Sequence, residues 1–175
     1  KNNYKDWQSC LDQFQSLGGD AFNVIQRKGK NGRGIFPDDH KIECYIYTPH
    51  KLMIRKEDLI LKNNNIRIKN QVSYDKAIRH FFYTYQDYFS WGKEGKQKTK
   101  DFEEGLGQLT SELKDLLKKY FLVDISRRHK GNWEEIILKR FLSARQFKYK
   151  GEIVIVPFIE LVNHHVNSQP YQITD

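Results

Sequence analysis

Residues 73–89 repeat their apolar positions with the period of an α-helix, whereas residues 20–60 alternate in short runs; this switch restricts the chain to a mixed α+β fold. In the helical stretch, Tyr74, Ala77, Ile78, Phe81, Phe82, Tyr85, Tyr88 and Phe89 fall on one broad face at 3.6 residues per turn. An aromatic stripe also suits base stacking, but its regular spacing favours a packed helix face. Upstream, Phe22–Arg27 alternates and predicts a strand. Lys28–Arg33 is a basic, Gly-containing turn, and short strands are predicted at Gly34–Phe36, Glu43–Tyr47 and Lys51–Ile54. Lys56–Leu61 predicts one or two helical turns, and Lys62–Asn70 and Ser90–Lys100 predict polar loops.

Three further helices are predicted. Residues 1–19 place Trp7, Cys10, Leu11 and Phe14 at helical spacing and end at Gly18-Gly19. Asp101–Phe121 is amphipathic through Phe102, Leu106, Leu109, Leu113, Leu116, Leu117 and Tyr120, with Gly105 and Gly107 weakening its first turns. Asn132–Phe147 has Asn132 as N-cap and Trp133, Ile136, Ile137, Phe141 and Ala144 inward.

A chain of 175 residues suits one compact domain and buries about two-thirds of its unfolded surface. Its 38% apolar content is enough for a core, and no apolar run of about 18 residues exists to span a membrane. The net charge of +8 arises from 30 basic residues spread along the chain against 22 acidic ones. That balance fits a basic surface or an acidic partner. Cys10 and Cys44 are far apart and form no CxxC pair, which argues against a zinc cluster or disulfide framework. A reducing compartment, cytoplasmic or nuclear, is expected. His164-His165 side chains diverge in extended structure, and the other histidines are scattered, so no metal is expected. No G-x-S-x-G elbow, dinucleotide fingerprint or P-loop is present.

Two motifs remain. Asn31-Gly32-Arg33-Gly34-Ile35-Phe36 sets Gly-x-Gly before an apolar-aromatic pair, and Gly151–His164 reads GEIVIVPFIELVNH. Between them lies Ser143-Ala144-Arg145-Gln146-Phe147. In this order the motifs resemble the SET-domain protein methyltransferases, in the branch of the Rubisco large-subunit lysine methyltransferase and the actin-histidine methyltransferase. The resemblance covers roughly residues 20–165. It implies a SET-domain β-clip of short twisted sheets with a helical insertion. On that reading, an N-terminal helix (1–19) precedes the first part of the SET domain (20–72), the insertion (73–131) and the second part (132–175).

The implied activity is transfer of a methyl group from S-adenosylmethionine to a lysine side chain of a protein such as a histone or ribosomal protein, with no membrane partner. Methyl transfer is an in-line displacement that needs positioning rather than a covalent intermediate. Gly32, Arg33 and Gly34 would line the adenosyl and methionine part of the cofactor. Lacking a Cβ, glycine permits close backbone approach. Arg145 would pair with the cofactor's carboxylate through its guanidinium fork. Asn163 would hold the methionyl end, His164 would contact the adenine through its main chain, and Glu160, where the family often has Asp, would hold the Asn-His segment or the cofactor. The family's channel tyrosine belongs to a later segment, expected downstream of Asp175, so no catalytic residue is assigned here. Tyr171 is too near His164 for that role. His165 stands where the family often has Ser.

From residue chemistry alone, the Gly-x-Gly is also a hairpin turn, Arg145 a surface arginine at a helix end, Glu160 a solvated strand-end charge, and Asn163-His164 a turn. Two other functions stay open: a non-catalytic SET-like module that binds protein, and a basic nucleic-acid-binding protein.

Overall fold

The computed structural model describes residues 4–29, 32–63, 65–92, 107–121 and 141–162, with 95, 97, 101, 104, 105 and 138. The fold is mixed α+β, with several short antiparallel sheets and helices. Helix α1 (Tyr4–Ser16) buries Trp7, Cys10, Leu11 and Phe14 on one face. Gly18 ends it in the left-handed region at φ 88°; its N–H donates to Gln15 O and the Gly19 N–H donates to Phe14 O. Gly19 answers a different need, since a Cβ there would lie 2.4 Å from the Phe14 ring.

The strand predicted over Phe22–Arg27 is two strands, β1 (Asp20–Phe22) and β2 (Val24–Gly29). Asn23 breaks it with φ 53°, and its side-chain amide donates to the carbonyls of Asp39 and Ile42 at 2.8 and 2.9 Å. β2 pairs with β3 (Gly32–Pro37), and β1 pairs with β4 (Tyr45–Tyr47). The strand expected at Lys51–Ile54 is a 3-10 turn, His50–Leu52, followed by the two-residue β5 (Ile54–Arg55). The helical turns expected at Lys56–Leu61 shrink to the 3-10 turn Lys56–Asp58. After it, β6 (Leu59–Lys62) pairs with β7 (Asn65–Ile68), where a polar loop was predicted. The register sets Leu59 against Ile68 and Leu61 against Ile66, so four buried side chains share one face.

Helix α2 (Lys76–Tyr88) begins at Asp75, whose carboxylate accepts the Ala77 N–H at 2.7 Å. Ile78, Phe81, Phe82, Tyr85 and Gln86 are its buried residues. Ala77 and Tyr88, expected inward, are exposed, and Gln86 is buried instead. At 100° per residue, Ala77 and Tyr88 lie about 85–110° from the centre of the Ile78–Phe82–Tyr85 face. The predicted solvated loop starts buried, at Ser90 and Trp91. Of the second predicted amphipathic helix, α3 (Ser111–Phe121) is described. Most of the helix predicted over Asn132–Phe147 lies outside the described residues. Its described end is helical through Ser143, and β8 (Gln146–Tyr149) begins where the helix was expected to continue. A two-residue turn, Lys150-Gly151 with φ 46° and 87°, returns the chain as β9 (Glu152–Ile155). β9 is the centre of a three-stranded sheet ordered β5-β9-β8.

Phe158 ties these elements together. Its fully buried ring meets Trp7 at 5.2 Å, Phe14 at 4.7 Å and Tyr85 at 5.0 Å, each edge-on. Burying such a side chain stabilises by roughly 2–3 kcal/mol. Phe158 takes φ 66°, and its N–H donates to the Tyr85 hydroxyl at 3.0 Å. This anchor fixes the 3-10 turn Ile159–Leu161 against the end of α2.

Candidate functional site at the end of helix α2

The last turn of α2 carries one polar residue, Gln86, into the core three residues before the apolar face resumes at Phe89. Gln86 Nε2 donates to Glu160 Oε1 at 3.1 Å. Glu160 sits on the turn fixed by Phe158, and its side chain is fully buried. Arg145, at the turn between the helical segment and β8, faces the other carboxylate oxygen, with Nη1 at 3.9 Å from Oε2. The same Nη1 lies 3.4 Å from Ser90 Oγ, and the guanidinium stacks over Phe141 at 4.7 Å. Phe141 in turn meets Trp91 edge-on at 4.8 Å.

Satisfaction within this cluster is incomplete. Glu160 Oε2 and Gln86 Oε1 are buried and have no hydrogen-bond partner among the described residues. The Arg145 contact is an ion pair, too long for a hydrogen bond. Burial pushes the Glu160 carboxyl above its ordinary 4.5; Arg145, and then Ser90, Tyr85 and Gln86, pull it back down. Burial and then the Glu160 charge push the Tyr85 hydroxyl well above 10. On Arg145 only Nη1 is engaged among the described residues, so Nε and Nη2 keep their donors, and the side chain is 23% exposed. The planar guanidinium fork suits a carboxylate.

Of the residues singled out in the sequence, Arg145 and Glu160 meet directly. Glu160 is therefore no solvated charge, and Arg145 is no free surface arginine. Gly32, Arg33 and Gly34 lie on β3, and Gly34 is buried. Arg33 Nη1 donates to Tyr88 O at 2.8 Å, and Gln26 Nε2 on β2 donates to Phe89 O at 2.6 Å, so the β2–β3 hairpin is latched to the end of α2. Ile35 forms a parallel bridge with Val162. The Gly-x-Gly strand thus runs beside the segment that leads into Asn163. Asn163 and His164 themselves lie outside the described residues. Sequence reasoning missed Gln86 and Ser90; the one signal for Gln86 was an amide four residues after Phe82 and eight after Ile78, at the edge of an apolar face.

A separate open hollow of about 540 Å³ lies on the outer face of the β6–β7 hairpin, lined in part by Lys62, Asn65, Arg67, Lys69 and Tyr83. None of the residues of the cluster at the end of α2 lines it. The candidate site rests on side-chain chemistry at the end of α2 instead, because among the described residues the hollow holds no buried unpaired group. Among the described residues no helix is long and apolar enough to cross a membrane, and no group of three or more His, Cys, Asp or Glu is suited to a metal ion. No protein-family model matches this chain, and no curated protein or solved structure matches it either.

Proposed function

We propose that this chain is a SET-type domain that binds S-adenosylmethionine beside the end of α2 and directs its methyl group to a lysine side chain of a protein substrate. The observation that carries the reading is the Ile35–Val162 bridge. It sets the Gly-x-Gly strand alongside the chain entering Asn163-His164, with Glu160 on the adjoining 3-10 turn and Arg145, from the turn before β8, paired with it. The short antiparallel sheets and the helical segment between the motifs are in keeping with a β-clip with an insertion.

When bound, S-adenosylmethionine supplies a methyl group made electrophilic by its sulfonium. The remaining tasks are binding, orientation and exclusion of water. Arg145 binds the cofactor's carboxylate through Nε and Nη2, while Glu160 and Ser90 fix Nη1 and Phe141 holds the guanidinium plane. Gly34, buried and without a Cβ, allows the β3 backbone to lie against the ligand. Asn163 holds the methionyl end through an amide that donates and accepts together. His164 contacts the adenine by its main chain.

Calorimetric titration of S-adenosylmethionine and of S-adenosylhomocysteine into the chain tests this. Both are expected to bind, and Asn163→Ala and Gly34→Val are expected to weaken both while the far-ultraviolet circular dichroism stays unchanged. Absence of binding, or affinity indifferent to both substitutions, sinks the cofactor reading and leaves a SET-like interaction module as the alternative.

A further inference from the structure

The β1–β4 ribbon turns aromatic side chains outward rather than into the core. Its register pairs Asp20 with Tyr47 and Phe22 with Tyr45, so all four side chains stand on one face. Phe22, Tyr45 and Tyr47, with the neighbouring Ile42, are each 48–50% exposed. Phe22 and Tyr45 stack at 5.9 Å, and the Tyr45 hydroxyl donates to Asp20 Oδ2 at 2.9 Å. The face is therefore ordered before any partner arrives. The loop beside it is fixed as well: Asn23, next to Phe22, accepts the Asp39 N–H at 2.8 Å and holds the Asp39 and Ile42 carbonyls.

The charge here runs against the rest of the chain. The ribbon and its loop, residues 20–23 and 38–47, carry Asp20, Asp38, Asp39 and Glu43 against a single Lys41. That is three negative charges net, in a chain whose total is +8. The carboxylates Asp38, Asp39 and Glu43 are exposed, as is His40.

We infer that this face docks a lysine- or arginine-bearing peptide segment, whose cationic side chains lie over the Phe22, Tyr45 and Tyr47 rings and pair with the surrounding carboxylates. Ring faces attract cations through their quadrupole, and exposed carboxylates add a screened Coulombic pull. Four carboxylates repel phosphates, which argues against a nucleic-acid stacking platform on this face. A two-fold contact with a second copy would set the same carboxylates against their own images. The inference does not depend on the cofactor reading, because it concerns a surface that the cluster at the end of α2 does not touch.

Fluorescence anisotropy of a labelled oligolysine peptide, titrated with the 175-residue chain at two salt concentrations, tests it. Binding that weakens with added salt is expected. Tyr47→Ala and Phe22→Ala should each weaken it about three- to fivefold. Asp20→Asn, which keeps the shape of the face, should weaken it by a similar factor. Labelled oligothymidine and sedimentation of the chain alone complete the experiment. Peptide binding indifferent to these substitutions, or no peptide binding, overturns the inference. So does oligothymidine binding that the same variants abolish, or self-association lost in Tyr47→Ala.

Discussion

Two buried carboxylates in this molecule are treated in opposite ways. Asp58, in the 3-10 turn before β6, is fully engaged: Arg55 Nε reaches Oδ2 at 2.8 Å and Nη2 reaches Oδ1 at 3.3 Å, while the Tyr74 hydroxyl donates to Oδ2 at 2.9 Å. Among the described residues, Glu160 has one amide donor on Oε1, a distant guanidinium, and an Oε2 without a hydrogen bond. A satisfied buried charge contributes to specifying the fold; a half-satisfied one costs stability and calls for another reason to be there. Asp58 ties a turn to the chain ahead of α2, from Arg55 to Tyr74. Glu160 holds an arginine whose Nε and Nη2 have no partner among the described residues. On the proposed function, the contrast separates a structural carboxylate from one that holds an arginine for a ligand.

Removing each carboxylate tests the contrast. Asp58→Ala leaves Arg55 and the Tyr74 hydroxyl without their acceptor, and the expected loss is about 2–3 kcal/mol in urea unfolding. A loss below about 0.5 kcal/mol would erase the distinction. Glu160→Gln is the milder change, because it removes a charge that burial already disfavours. Its stability is expected within about 1 kcal/mol of the parent, with either sign.

The same difference gives a pH signature. Burial raises the folded-state pKa of Glu160 above 4.5, so in the window above that value the folded chain binds more protons than the unfolded one. Stability contributed by the protonated form is present at low pH and falls as pH rises from about 4.5 through the raised folded value. Unfolding of the parent minus that of Glu160→Gln should show this decline, then a plateau. A difference that grows with pH would mean that Arg145 outweighs burial. The smallest effect belongs to Glu152, whose contact with Arg55 is 3.8 Å long and about 40% exposed on both sides. Glu152→Ala should change stability by less than about 0.5 kcal/mol.

The helices were the most legible part of the fold. In α1 and α2 the inward residues recur at 3.6-residue spacing, and Trp7, Phe14, Phe81 and Tyr85 are buried as that spacing requires. The β6–β7 hairpin was hidden because Lys62-Asn63-Asn64-Asn65 reads as loop, and only pairing reveals that Ile66 and Ile68 complete an apolar face begun by Leu59 and Leu61. The break at Asn23 was equally hidden, since its cause is a loop some sixteen residues away. At the site, Arg145 and Glu160 were singled out but given separate tasks. Their meeting depends on a hairpin and a turn that local patterning does not encode. Gln86 and Ser90, which complete the cluster, look in sequence like ordinary polar residues of a helix and a loop.

The most direct measurement couples affinity to stability in Arg145→Lys. Lysine keeps the positive charge opposite Glu160 but loses the planar fork. If the cluster exists to hold a ligand carboxylate, calorimetry should show S-adenosylmethionine affinity at least about tenfold weaker, while the urea midpoint moves by no more than about 1 kcal/mol in equivalent stability. Unchanged affinity with a large fall in stability would contradict the account and make Arg145 and Glu160 a structural pair like Arg55 and Asp58.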